Sequence, residues 1–163
     1  MKLEKSWMPM VLKSGRRKRE SLGITKGRWR MQWIILIGDK RFDLNTIKAI
    51  EHYGSIDSYD VPEIEGRYCV DFGDDHIFYD FDDMIEDYEK DELNNIPYDN
   101  PNFVTVIYTS KNCIRNILKQ DDFPDNIYVD NGFGLILPIK EFIELGMPLD
   151  DENDMKNLNM TIL

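Results

Sequence analysis

The chain has 163 residues, of which 42% are hydrophobic and 31% charged, and its formal net charge at pH 7 is -11. This length favours one domain, and the apolar content is enough for one ordinary core. The longest apolar run, residues 33–37, is too short to span a bilayer, and the charged N-terminus does not resemble a secretory signal.

The charge is divided unevenly along the chain. Residues 1–31 carry ten Lys and Arg residues against two Glu, a net charge of +8, whereas residues 32–163 carry ten basic residues against 29 acidic ones, a net charge of -19. We therefore predict a basic, flexible arm over residues 1–30, an acidic domain over residues 31–150 and an acidic, frayed tail over residues 151–163. An alternative is that the mature protein begins at Met31, in which case the arm is not native.

The first half of the acidic domain predicts a strand, a helix and a hairpin. Residues 32–37 form a buried-strand pattern, and Asp43 is a candidate N-cap for a helix that continues through Tyr53 to a stop at Gly54. Two alternating segments on either side of residues 73–75 predict a β-hairpin. Residues 82–94 show weak helical spacing among many acidic residues.

The second half predicts a central strand, two helices and another hairpin. Residues 103–109 are β-branched and aromatic, as in a buried strand, and Ser110 is the candidate N-cap of the next helix. A hairpin follows over residues 127–137, and Pro138 begins a last helix. The order β-α-β-β-α-β-α-β-β-α indicates a single α+β domain, with a mixed or antiparallel sheet of about six strands and about four helices.

Neither histidine is predicted to be catalytic. His76 lies in the first hairpin near Asp74, Asp75 and Asp80, so a divalent cation site is one alternative. The spacing of a calcium loop is absent, and a solvated hairpin is the favoured interpretation. His52 is expected near the end of the first helix, where an imidazolium interacts favourably with the last carbonyl groups.

No catalytic motif is recognised elsewhere. Residues 132–134 lack the Lys-Ser/Thr pair of a phosphate loop and the third glycine of a dinucleotide fingerprint. Cys69 and Cys113 have no base beside them in sequence, and we interpret both as buried thiols in a reducing cytoplasm. We therefore predict a cytoplasmic protein that is not an enzyme and binds no metal or cofactor. A small enzyme with a site assembled from distant residues is the alternative.

The acidic stretch over residues 71–92 is the strongest functional candidate. It contains eleven carboxylates and one lysine, with aromatic residues between them. Self-repulsion at this density costs stability, and aromatic rings beside carboxylates are suited to anchoring a basic partner. A solvated acidic face is the alternative. The predicted partner-binding residues are seven acids and two tyrosines: Asp74, Asp75, Asp80, Asp82, Asp83, Glu86, Asp87, Tyr79 and Tyr88.

The basic arm offers a different function. Its run Arg16-Arg17-Lys18-Arg19, with Trp7 and Trp29, has the residue types that contact phosphates and stack on bases. Apart from this arm, the acidic chain is expected to repel nucleic acid. The arm also has the charge to fold back on the acidic body of its own chain.

In size, charge and layout, residues 31–150 resemble the immunity proteins that neutralise bacterial nuclease and other polymorphic toxins. The segment Asp130-Asn131-Gly132-Phe133-Gly134, ahead of an apolar strand, is similar to a glycine-containing turn in some of these families. The resemblance implies an inhibitor that covers the active cleft of a basic toxin with carboxylates. A second hypothesis is a regulator that mimics nucleic acid and blocks a DNA-binding protein.

Overall fold

The computed structural model describes residues 32–149, so the predicted arm and tail lie outside the described residues. These residues form one antiparallel sheet of seven strands with four helices, which confirms the predicted α+β class. The strands are β1 (Gln32–Gly38), β2 (Asp57–Asp60), β3 (Arg67–Asp71), β4 (His76–Phe81), β5 (Asn102–Tyr108), β6 (Tyr128–Asp130) and β7 (Ile136–Pro138). The helices are α1 (Leu44–Lys48), α2 (Lys90–Leu93), α3 (Lys111–Leu118) and α4 (Ile139–Glu144), with a 3-10 turn at Ile85–Asp87.

The sheet is built around β1 and β5. Its strand order is β2-β3-β4-β5-β1-β6-β7, and β1 pairs with β5 from Gln32 opposite Tyr108 to Gly38 opposite Asn102. Both strands are almost continuously apolar, because the sheet is covered on both faces and neither set of alternating side chains meets water. The faces therefore carry separate cores, defined by alternate residues of the same strands.

The prediction missed the edge strand β2. Its sequence, Asp57-Ser58-Tyr59-Asp60, is polar and mostly exposed, so it has no apolar pattern to mark it as a strand. It forms because its backbone pairs with β3, from Asp57 opposite Asp71 to Asp60 opposite Tyr68. β2 ends the sheet formed by residues 32–149, and acidic side chains along such an edge disfavour pairing with the edge of another molecule.

Helices α1, α3 and α4 cover one face, which we call the helical face. Asp43 and Ser110 cap α1 and α3 as predicted, since their side chains accept hydrogen bonds from the backbone N–H groups of Thr46 and Cys113 at 3.2 Å. Helix α1 ends at Lys48, however, and Tyr53 beyond it is exposed, so the longer predicted helix is wrong.

Residues 82–98 cover the opposite face, and we call this segment the acidic cover. It contains only the 3-10 turn and the four-residue helix α2, consistent with its weak helical pattern. Met84, Tyr88 and Ile96 point into the core made by β1, β3, β4 and β5, while most of its acidic residues face solvent. Within residues 32–149, no helix has both the length and the apolar content that a membrane crossing requires.

Candidate functional site

The predicted acidic residues do not form one surface. Asp74 and Asp75 precede β4, whereas Asp82 and Asp83 follow it, and the strand between them separates the two pairs by about 20 Å. Glu86 and Asp87 continue from the second pair within the acidic cover. The predicted site is therefore divided between opposite ends of the sheet.

Asp80 is not on a binding surface, which corrects the prediction. It is 8% exposed, and its two carboxylate oxygens accept hydrogen bonds from Arg67 Nε at 2.6 Å and Arg67 Nη2 at 2.5 Å. The Arg67 side chain, on the neighbouring strand, also lies over the ring of Phe78. Asp80 is thus half of a buried bidentate ion pair, and its charge is compensated within the fold.

Tyr79 is also a core residue, and this corrects its predicted role as a partner anchor. It is fully buried, and its hydroxyl lies 2.8 Å from His52 Nε2. His52 Nδ1 lies 3.1 Å from the carbonyl oxygen of Ile50, which can only accept, so Nδ1 carries the hydrogen and Nε2 accepts from Tyr79. Burial lowers the pKa of His52, which disfavours the imidazolium predicted near the end of α1.

Tyr88 fixes the acidic cover to the sheet instead of facing a partner, which is the third correction. It is 7% exposed, its ring stacks on Phe103 with centroids 5.2 Å apart, and its hydroxyl donates to Asp130 Oδ2 at 2.7 Å. Both aromatic residues that were predicted to bind a partner, Tyr79 and Tyr88, therefore point into the protein. Tyr88 holds the acidic cover against the apolar face of the sheet, whereas Tyr79 packs into the core of the helical face.

The turn over residues 130–134 begins with two buried polar residues, Asp130 and Asn131. Asp130 Oδ1 accepts a hydrogen bond from the Gly132 N–H at 2.7 Å, and Asn131 Oδ1 accepts one from the Phe133 N–H at 2.9 Å. Asn131 Nδ2 donates to the carbonyl oxygen of Pro148 at 3.0 Å. Gly132 and Gly134 both have positive φ, which explains why glycine occupies these positions. The segment connects β6 to β7 and exposes Phe133.

A groove lies beside Asp82 and Asp83, at the end of the sheet where β4 ends and β5 begins. Its volume is about 350 Å³, and an adjoining hollow of about 240 Å³ shares Lys40, Asp99 and Asn100 with it. We call the larger hollow the acidic groove. Its walls combine carboxylates with apolar side chains: Asp82, Asp83, Asp99, Phe81, Ile85 and Phe103.

The groove is negatively charged and partly desolvated. Burial raises the pKa of Asp82. The Asp83 N–H, which donates to Asp82 Oδ1 at 2.9 Å, acts in the opposite direction, and the nearby carboxylates of Asp80, Asp83 and Asp87 raise the pKa further. Lys40 is the one basic residue in its lining. A cation entering the groove would relieve this repulsion, and Phe81, which is 39% exposed, offers a ring at the groove wall.

The other titratable candidates do not form a reactive cluster. Asp80 is bound to Arg67, whereas His76 Nε2 lies 3.2 Å from Asp71 Oδ1, so His76 and the neighbouring acids do not converge on one point. In the described part of the chain, no group of three or more His, Cys, Asp or Glu residues is arranged to hold a metal ion.

The two cysteines are free thiols. Cys69 is buried as predicted, whereas Cys113 is half-buried against the helical-face core. Burial raises the pKa of each thiol to about 11, so neither supplies a thiolate near neutral pH.

Comparison of the chain with protein-family models, with curated proteins and with solved structures found no match. The candidate site therefore depends on geometry. Asp82 and Asp83 were predicted from the sequence as binding residues, whereas Phe81, Asp99 and Phe103 were not. Asp99 lies in a loop between Pro97 and Pro101, and no local pattern indicates that this loop lies against the end of β4.

Proposed function

We propose that this protein is a cytoplasmic binding protein that engages a basic protein partner through the acidic groove. Its mode of action would be that of a toxin immunity protein, in which an acidic surface blocks the partner's cleft without catalysis. The observation that supports this proposal is the meeting of three carboxylates, Asp82, Asp83 and Asp99, around an open groove with an exposed aromatic wall.

The groove has two properties suited to a basic side chain. Its carboxylates can accept the forked hydrogen bonds of a guanidinium group, and the exposed ring of Phe81 can stack on the same planar group. The apolar residues Ile85 and Phe103 line the same space, where the aliphatic part of an arginine side chain would pack. Arginine therefore fits this lining better than lysine does.

The surrounding charge would act at longer range. The acidic cover holds seven acidic residues against Lys90, so its negative field extends from the groove across that face. Such a field increases the association rate of a basic protein and loses strength as salt is added. The groove would then provide the specific contacts after this steering.

The test compares two charge-reversed variants of the full chain. Asp82→Lys with Asp83→Lys reverses the groove, and Glu141→Lys with Glu144→Lys makes the same change in charge on exposed positions of α4. Binding of a fluorescent nona-arginine peptide is measured by anisotropy. The groove variant should bind at least tenfold more weakly than the α4 variant, with a smaller dependence on salt.

Equal losses in the two variants would show that net charge alone attracts the peptide, and would remove the groove from the proposal. Nona-lysine provides a second comparison, because it has the same charge without the planar guanidinium. We expect it to bind more weakly than nona-arginine to the unmodified protein.

A further inference from the structure

The basic run Arg16-Arg17-Lys18-Arg19 of the same chain has a charge opposite to that of the acidic groove. Residues 1–31 carry a net charge of +8, concentrated in Arg16-Arg17-Lys18-Arg19, and they are joined directly to β1. We propose that this run occupies the acidic groove in cis and competes there with an external basic partner. The docking itself is inferred from the opposite charges of the two segments and from the length of the chain between them. Competition with an external partner rests on the proposed function.

The length of chain allows this contact. Gln32 begins β1 at the end of the sheet away from the groove, while Gly38 at the other end of β1 pairs with Asn102, which lines the groove. The distance along β1 is about 20 Å. Arg19 lies thirteen positions before Gln32, and thirteen extended residues span at most about 45 Å, so the basic run can reach the groove.

The charges are complementary and the attachment is covalent. The acidic cover has a net charge of -6, with seven acidic residues and one lysine, and Asp99 adds a further carboxylate at the groove. Four consecutive basic residues provide the opposite charge. Because the run belongs to the same chain, its effective concentration at the groove is on the order of millimolar, which a free partner at micromolar concentration must overcome.

The opposite end of the sheet is the competing location. Asp74 and Asp75 lie there, closer to Gln32. Carboxylates at both ends already accept hydrogen bonds, Asp75 from the Thr109 hydroxyl at 3.2 Å and Asp83 from the Ile85 N–H at 3.1 Å, so these bonds do not distinguish the two ends. The groove instead combines three carboxylates with an open hollow of about 350 Å³ and the exposed ring of Phe81. These features favour the groove over the nearer end for an arginine-rich segment.

Zero-length carbodiimide crosslinking of the full chain tests the contact, since this reagent joins a lysine amine to a carboxylate without a spacer. The proposal predicts amide links from Lys13 or Lys18 to Asp82, Asp83 or Asp99, identified by mass spectrometry. An equal mixture of ¹⁴N and ¹⁵N protein should give links within single chains. Replacing Arg16, Arg17 and Arg19 by Glu, with Lys18 kept, should reduce their yield at least fivefold.

Three outcomes would overturn the docking: principal links to Asp74 or Asp75, links spread equally to Glu141 and Glu144, or links between isotopically different chains.

Nona-arginine binding distinguishes this proposal from the proposed function. If the groove is shared, the triple arm variant should bind the peptide about tenfold more tightly than the unmodified chain. Unchanged affinity that is still lost on reversing Asp82 and Asp83 supports partner binding and contradicts docking in cis. Groove crosslinks without any peptide binding support docking and contradict the proposed function.

Discussion

The two faces of the sheet are covered in different ways. Among residues 32–149, three helices pack on the helical face and contribute to a core of 22 buried residues, whereas the acidic cover closes a core of 11 with one 3-10 turn and one short helix. The helical face should therefore hold most of the folding free energy, and the acidic cover should open at a lower cost. The candidate binding groove lies on the more lightly held side.

The acidic cover is a strongly charged segment that a few buried side chains hold in place. Met84, Tyr88 and Ile96 bury apolar or aromatic groups, and the carboxylates between them remain near solvent. Tyr88 adds a hydrogen bond to Asp130, which links the cover to β6. A small number of inward side chains thus fixes a segment whose charges repel one another.

The largest effect should come from the buried ion pair beneath the acidic cover. Arg67→Ala leaves Asp80 as an uncompensated buried carboxylate, and we expect a loss of about 3–5 kcal/mol in the free energy of unfolding. Urea denaturation followed by circular dichroism measures this loss. Replacement of both residues, Arg67→Met with Asp80→Leu, should cost less than Arg67→Ala alone, and a greater cost for the pair would contradict this account.

Truncation of a buried side chain should have different effects on stability and on hydrogen exchange in the two faces of the sheet. Phe142→Ala on the helical face should cost about 3–4 kcal/mol, and Met84→Ala under the acidic cover about 2 kcal/mol, because the lightly held cover can relax around the missing side chain. Hydrogen exchange should show that Met84→Ala speeds exchange mainly in residues 82–98. An equal effect of Met84→Ala on α3 would show that the two faces open together.

Tyr88→Phe tests the link between the acidic cover and β6. The substitution keeps the ring on Phe103 and removes the donor to buried Asp130, for an expected cost of about 1–2 kcal/mol. Thermal unfolding measures the cost, and Tyr128→Phe is a matched control because Tyr128 is only half-buried. Equal shifts in the two variants would remove the special role of Tyr88.

The smallest effect is a pH dependence from the helical face. Burial lowers the pKa of His52 below its unfolded value, so the unfolded state binds more protons near that value. Stability should therefore rise with pH through about 6.5 and fall as the pH drops below it. His52→Gln should reduce this slope between pH 5 and 7 in denaturation experiments. An identical slope in the variant would show that other groups cause the dependence.

Sequence patterns correctly predicted those parts of the fold that depend on interactions between residues close together in the chain. The apolar runs of β1 and β5, the turns with positive-φ glycine and the N-caps Asp43 and Ser110 are encoded within a few residues. Strand β2 was missed because its stability comes from its neighbour β3. Its own residues carry no apolar alternation.

The candidate site was predicted less well because burial is a tertiary property. Alternation along β4 shows that Tyr79 and Asp80 face opposite sides, but it does not reveal that Arg67 neutralises Asp80 or that His52 meets Tyr79. The groove also depends on loop placement, which brings Asp99 to Asp82 although 17 positions separate them in the sequence. The charge density indicated the correct region, but only the fold shows which carboxylates are accessible.

The central claim is that the acidic groove, and not the acidic chain as a whole, is the binding surface. Titration of ¹⁵N-labelled full-length protein with nona-arginine, followed by amide chemical shifts, tests it most directly. We predict that the largest shift changes occur in residues 81–85 and 99–103, and that Asp82→Lys with Asp83→Lys abolishes them. Principal changes at residues 73–76, or equal changes at every exposed acidic residue, would contradict the claim.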